Sequence, residues 1–223
     1  MIIVNDKHSR LNSTMVAQVV APRNTQDLMQ IVSQSKRIAI AGGRHSLGGQ
    51  QFCAGTTLVD MTQMNQVMHF DEDAGLITVQ SGMMWPDLVA YLRRTQRWSI
   101  RQKQTGCDAL TIGGALSSNV HGRGLAFKHI VDDIKNFTII THDGCLRHCD
   151  RHQNTELFRL AIGGYGMFGV IVTVTLRLVP RVVLRRDVSV SYVPIDDLHK
   201  AIIRGATYGD FQFNIDHDSP DFL

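Results

Sequence analysis

Cysteine is scarce in this chain. Four residues, at positions 53, 107, 145 and 149 of 223, are too few for a disulfide-stapled scaffold and point to a reducing, cytoplasmic setting. Net charge is small as well. A formal +3 with a sequence pI near 8.8 carries no basic stripe of the kind that nucleic-acid partners require. Long hydrophobic runs are missing. A membrane-spanning helix needs about 20 apolar residues, whereas runs such as the one opening at Val170 break off within a few positions. No membrane span is expected. The opening Met1-Ile-Ile-Val, followed by Asn5, Asp6, Lys7 and His8, lacks the basic-then-apolar order of a secretory signal. Apolar residues at 43% and charged residues at 19% exclude disordered and fibrous classes and leave a globular protein of one large domain or two small ones.

Glycine, by contrast, is both plentiful and organised. Of 19 glycines, twelve fall into three groups: 42, 43, 48 and 49; 113, 114, 122 and 124; and 163, 164, 166 and 169. Such grouping marks backbone that approaches something closely or repeatedly adopts positive φ.

Residues 1–14 read as polar and irregular. A short helix follows Pro22, with Thr25 as its cap, Asp27 in its first turn, and Leu28, Ile31 and Val32 on one face. Ile38–Ala41 reads as a buried strand running straight into a glycine loop, and Thr57–Asp60 and Leu76–Gln80 are further strands. Pro86 suits the first position of a helix carrying Leu88, Val89 and Leu92. From Gln102 to Phe127 the chain is polar, glycine-rich and loop-like, a length that implies function. Ile112, Leu116 and Val120 nevertheless recur within it at four-residue intervals. A hairpin turning at Asp143-Gly144, a helix from Asn154 or Thr155, and an alternating strand from Val170 to Val179 complete this part. In that strand Val172, Val174, Leu176 and Leu178 are expected on one face. Beyond Pro180, alternation at Val188–Tyr192 and Phe211–Ile215, with a helical stretch at 195–204, reads as the start of a second domain that residues 181–223 do not complete.

Three segments could carry chemistry. Gly164-Tyr-Gly166-Met-Phe-Gly169 matches G-x-G-x-x-G, but a dinucleotide turn needs a strand before it and a helix after it. Here the order is inverted, so a nicotinamide Rossmann turn is not expected, while another way of holding a nucleotide is compatible. Consecutive amides from Gly42 to Ser46 can form an anion nest after a strand, with Ser46 and Gln50 as additional donors. Thr105–Gly122 is rich in small and hydroxyl-bearing residues, among them Thr111, Ser117 and Ser118, and suits an extended phosphate-bearing ligand. His142, Cys145, His148, Cys149 and His152 offer zinc-type ligands within eleven residues. The second pair of ligands that a structural zinc requires is absent and the two cysteines sit on and beyond a hairpin strand, so scattered histidines on a solvated edge are the better reading and no metal ligand is assigned.

Taken in order, Ile40-Ala-Gly-Gly-Arg-His-Ser-Leu-Gly-Gly-Gln50, Thr57-Leu-Val-Asp-Met61, Thr111-Ile-Gly-Gly-Ala-Leu-Ser-Ser-Asn-Val-His-Gly122, Asp143-Gly144 and Leu157-Phe-Arg-Leu-Ala-Ile-Gly-Gly-Tyr-Gly-Met-Phe-Gly-Val-Ile171 resemble the FAD-binding domain (PCMH type) of the vanillyl-alcohol oxidase and p-cresol methylhydroxylase superfamily. The nearest branches are the cytokinin dehydrogenases, alditol oxidases and aldonolactone oxidases. The resemblance covers residues 15–180 and implies an α+β fold of two subdomains with FAD between them, followed by the beginning of an α+β cap domain at 181–223. It further implies that Gly42, Gly43, Arg44, His45, Ser46 and Gln50 cradle the pyrophosphate, with Ile40 and Ala41 also binding the cofactor. Thr105, Gly106, Asp108, Thr111 and Gly114 would line the ribityl and isoalloxazine side, joined by Ser117, Ser118, His121 and Gly122. Backbone at Val170 and Ile171 would meet the adenine. His45 matches the position at which several relatives bond the flavin 8α-methyl group covalently. Arg44 stands where relatives often carry glycine.

The implied activity is hydride transfer from an alcohol, lactone or amine carbon of a small-molecule substrate to flavin N5. No catalytic residue is assigned, because the family places those residues in the cap and C-terminal segments. A flavin-binding module without turnover and a zinc-stabilised interaction domain are the alternatives.

Overall fold

A computed structural model describes residues 1–188, 197, 205–211 and 218. The chain opens with a two-stranded antiparallel ribbon, β1 (Ile2–Val4) and β2 (Thr14–Val16), so the first fourteen residues are not irregular throughout. β3 (Gln18–Val20), β4 (Ile38–Ala41) and β5 (Thr57–Asp60) then form a parallel sheet in the order β3-β5-β4. Helix α1 (Thr25–Gln34) makes the crossover from β3 to β4. Its cap is Asn24 rather than Thr25: the Asn24 side chain accepts a hydrogen bond from the Asp27 amide at 2.9 Å, and Thr25 is already helical. Leu28 and Val32 are buried as their spacing implies.

A second sheet is five-stranded and antiparallel, in the order β10-β9-β11-β7-β6. It comprises β6 (Val67–Asp71), β7 (Leu76–Gln80), β9 (Ile134–Ile140), β10 (Leu146–Cys149) and β11 (Val170–Arg177). A short pair, β8 (Trp98–Ser99) with β12 (Val179–Pro180), lies beside it. Three helices accompany this sheet: α2 (Trp85–Arg93), α3 (Ile112–Ser117) and α4 (Thr155–Ala161). Pro86 is the second helical residue, one later than expected. The stretch from 102 to 127 is not all loop either. Ile112, Ala115 and Leu116 are buried along α3, and Thr111 caps it by accepting from the Gly114 amide at 3.2 Å. Two adjacent glycines lower the helix propensity there, which hides the element from a propensity reading. Burial outweighs that cost.

β11 is buried on both faces. Ile171, Val174 and Leu176 belong to a core shared with α2, α3, α4, β7 and β9. Val170 and Val172 belong to another, shared with Leu28 and Val32 of α1 and with Val59 of β5. The expected face containing Val172, Val174, Leu176 and Leu178 is therefore split. A register shift between Ile171 and Thr173 inserts one extra residue and resets the alternation. Beyond it, the face opposite the larger core turns polar. Thr173 meets the Thr138 hydroxyl at 2.6 Å, and Thr175 meets that of Thr78 at 2.8 Å.

Residues 205–211 run along the 101–127 segment. The Leu125 amide donates to the Thr207 carbonyl at 3.1 Å, and the Tyr208 hydroxyl donates to the Arg101 carbonyl at 2.6 Å. The strand expected at 188–192, the helix at 195–204 and the strand at 211–215 fall almost entirely outside the described residues. Among the described residues, no helix is long and apolar enough to cross a membrane.

Phe137 is fully buried in β9 and stacks on Phe158 of α4, with ring centroids 5.3 Å apart. Replacing it with alanine removes that contact and opens a cavity between sheet and helix. Phe137→Ala is expected to lower the free energy of unfolding by about 3–5 kcal/mol, measured by urea denaturation. A loss below 1 kcal/mol would contradict the packing described.

Candidate functional site

The two sheets meet along a seam, and an open cleft lies there. One wall is the loop that leaves β4, Gly42 to Ser46. Another is α3 with its preceding residues Leu110 and Thr111. The third is the turn at Tyr165–Gly169 leading into Ile171 of β11. Backbone runs so close to backbone that side chains are excluded at several points. A Cβ on Gly42 would lie 2.1 Å from Thr111 Oγ1, and one on Gly43 would lie 2.4 Å from the Ala109 carbonyl oxygen. The first glycine group thus presses the β4 exit loop onto the segment that starts α3. Arg44 holds a left-handed φ of 59°, a conformation that favours glycine. Its guanidinium is anchored 3.0 Å from the Asp60 carboxylate, which explains how a non-glycine residue occupies this turn.

The cleft has polar capacity that the chain itself does not use. His45 Nε2, Gln51 Oε1 and Ser81 Oγ are buried and make no hydrogen bond within the chain, and all three residues line the cleft. Buried polar atoms in folded proteins are overwhelmingly paired, so three such atoms facing one space mark a binding surface.

His45 sits at the mouth. Burial holds its imidazole below the usual histidine range, and the nearby His8 and Lys7 push the same way, against the Ala109 carbonyl. A neutral ring with an available nitrogen is the outcome. Its Nδ1 contacts His8 Nε2, with ring centroids 4.6 Å apart. Cys107 Sγ lies 3.6 Å from the same His8 nitrogen.

The sequence-derived site is thus gathered in large part, but not completely. Ile40, Gly42, Gly43, Arg44, His45, Ser46 and Gln50 line the cleft, as do Thr111, Gly114, Ser117, Ser118 and Ile171. Seven expected positions do not. Ala41 is buried inside β4. Val170 points into the core it shares with α1. Thr105 and Gly106 are exposed on the loop, and Asp108 is tied to Lys103 on the outside. His121 stacks edge-on to His129 at 5.6 Å, while the Gly122 amide donates to Gln102 Oε1 at 3.2 Å, away from the cleft.

Residues that sequence reasoning missed include Gln51, Met61, Ser81, Leu110, Gly113 and Tyr165, with Gly166 and Gly169. The last two lie in the glycine group read as compatible with a nucleotide; Ser81 carries no local signal. The histidines and cysteines at 142–152 do not converge. Cys145 is exposed in the turn before β10, Cys149 is buried with its thiol pushed up to about 11 by desolvation, and His148 pairs with Asp150 at 3.3 Å. All four cysteines are free.

The neutral state of His45 is directly measurable. In a proton-detected NMR titration its imidazole should protonate at a pH below 6.5, the ordinary histidine value. His8→Ala should move that midpoint upward, because removing a neighbouring positive charge favours protonation of His45. A His45 midpoint above 6.5 in the parent chain would contradict the geometry.

Comparison with known proteins bears on what the cleft holds. A family model described as an FAD binding domain matches residues 16–150. An uncharacterized oxidoreductase of the fasciation locus of Rhodococcoides fascians is 34% identical over 170 residues, covering 72% of this chain and 37% of that protein. Cytokinin dehydrogenase 2 of Arabidopsis thaliana is 32% identical over 181 residues, covering 76% and 35% respectively. L-gulonolactone oxidase of Bos taurus is 27% identical over 165 residues, covering 72% and 37%. The chain spans little more than a third of the length of these relatives. The glycine-walled cleft with its unpaired polar atoms fits a large polar cofactor, and the matched model covers more than half the sequence: the chain belongs to the FAD-binding domain family of PCMH-type flavoproteins.

Proposed function

We propose that this chain is the flavin-holding part of an FAD-linked oxidase or dehydrogenase acting on an alcohol, lactone or amine, with FAD seated in the cleft between the two sheets. One observation carries the reading: His45 Nε2, Gln51 Oε1 and Ser81 Oγ are buried, unpaired and turned to the same glycine-walled space. When bound, FAD supplies hydride acceptance at N5. The chain's own residues bind and orient it. Amides of the Gly42–Ser46 loop are suited to phosphate oxygens, and Ser117 and Ser118 add hydroxyls on the facing wall. His45, held neutral by burial, is the residue we assign to the covalent bond with the flavin 8α-methyl carbon. The names of the relatives, lactone oxidases and a cytokinin dehydrogenase, support the substrate class.

The discriminating variant is Ser81→Ala. Gly43 is unsuitable, since any side chain there strikes the Ala109 carbonyl before it reaches a ligand. Ser81→Ala deletes one unpaired hydroxyl without opening the core. Its melting temperature should hold or rise, while FAD affinity falls by about three- to tenfold, the worth of one hydrogen bond. Isothermal titration and a melting scan, both in a His45→Ala background where FAD can bind only reversibly, read the two quantities separately. Unchanged affinity would remove Ser81 from the site. For the covalent bond, acid-precipitated parent protein should stay yellow and His45→Ala should release all its flavin. Complete release from the parent would overturn the linkage and leave the cleft assignment to the titration.

A further inference from the structure

His8, His45 and Cys107 come from three separate loops, far apart in sequence, and their ligand atoms lie within 4.8 Å of one another. It is the one group of three potential metal ligands of this kind among the described residues. We propose that these three side chains form a binding site for a thiophilic divalent metal, zinc by its ligand chemistry, with the fourth coordination position open to water. The inference goes beyond the flavin reading and does not rest on it, although the two share His45.

The ligand set is the first argument. Two imidazoles and one thiol are the donors zinc prefers, and three protein ligands plus water is the arrangement of an open zinc site. The geometry is the second. A tetrahedral zinc with Zn–S of about 2.3 Å and Zn–N of about 2.05 Å separates sulfur from nitrogen by about 3.6 Å. Cys107 Sγ and His8 Nε2 are 3.6 Å apart. His8 Nε2 and His45 Nδ1 are in direct contact, and a metal would take the place of that contact by parting the two nitrogens.

Each ligand is also held in place, the third argument. Asp6 is buried, and its carboxylate accepts hydrogen bonds from the amides of His8 at 3.0 Å, Ser9 at 2.6 Å and Arg10 at 3.2 Å. That carboxylate wraps the loop so that His8 projects from a fixed turn. The Lys7 amide donates to the Arg44 carbonyl at 3.0 Å, locking this turn to the one that carries His45. Gln104 Nε2 donates to the Cys107 carbonyl at 2.6 Å, and Gln104 Oε1 accepts from buried Trp85 at 2.9 Å. His45 presents Nδ1 to the cluster, which leaves Nε2 for the cleft. Coordination replaces the Cys107 S–H bond by a sulfur–metal bond, and the proton passes to solvent.

The test uses the chain of residues 1–223 without an affinity tag, stripped with a chelator and then titrated with Co(II) and Zn(II). One equivalent of Co(II) is expected, with a thiolate-to-cobalt charge-transfer band and intense tetrahedral visible bands in difference spectra. Zn(II) should displace it. Cys107→Ser should abolish the charge-transfer band, and both Cys107→Ser and His8→Ala should weaken zinc by at least about 100-fold. Cys53→Ser and Cys145→Ser, which alter exposed thiols elsewhere, should leave the titration unchanged. His8 and Cys107 lie on surface loops, and far-UV circular dichroism checks each variant's fold. Should His8→Ala misfold, Cys107→Ser decides alone. Uptake of less than one equivalent, or a charge-transfer band that survives Cys107→Ser, overturns the site. Flavin content is scored separately by acid precipitation, so failure to hold FAD and failure to hold metal are distinct results.

Discussion

Two cores packed against opposite faces of one strand define this molecule. β11 contributes Ile171, Val174 and Leu176 to the larger core and Val170 and Val172 to the smaller. An uninterrupted strand would send every second side chain the same way. The extra residue near Val172 reverses the phase, so the first part of the strand serves the parallel sheet and the remainder serves the helices. The seam between the sheets follows from this, and the cleft opens where the seam reaches the surface. Ile171 is a member of the larger core and also lines the cleft. Met61 does the same for the smaller core, so cleft position is coupled to the packing of both.

The loops around the cleft are positioned from the cores outward. β4 is the edge strand of the parallel sheet, and its C-terminal exit delivers Gly42 to Ser46. Asp60, at the end of the neighbouring β5, both receives Arg44 and caps the turn at Met61–Gln63 by accepting from the Thr62 amide at 3.1 Å. One carboxylate therefore sets two of the cleft's boundaries. This ion pair is only about a fifth to a quarter exposed, so its role is positional more than energetic.

Much of this was legible in the residues, and the failures have identifiable causes. Strongly periodic segments such as Ile38–Ala41, Leu76–Gln80 and Trp85–Arg93 read correctly because burial on one face writes itself into the pattern. The three-residue strands β1, β2 and β3 are too short to show a period. α3 was masked by its glycines, although the recurrence of Ile112, Leu116 and Val120 was its trace. The ordered motifs point to the cofactor class through the family they resemble. They do not distinguish residues facing the cleft from those facing away, and Thr105, Gly106, Asp108, His121 and Gly122 lie outside its lining. The approach of His8 to Cys107 depends on tertiary structure across 99 positions, and no local pattern announces it.

The glycines that wall the cleft bear on how such a protein could change. At Gly42, Gly43, Gly113 and Gly169 a methyl group would collide with a neighbouring residue at distances between 2.1 and 2.7 Å. Any substitution there disturbs the fold before it alters the ligand. Divergence toward a new chemistry is thereby channelled to positions with free side chains, such as Gln50, Leu110 and Tyr165. The walls of the cleft are set by backbone contact, and novelty has to be written around its rim.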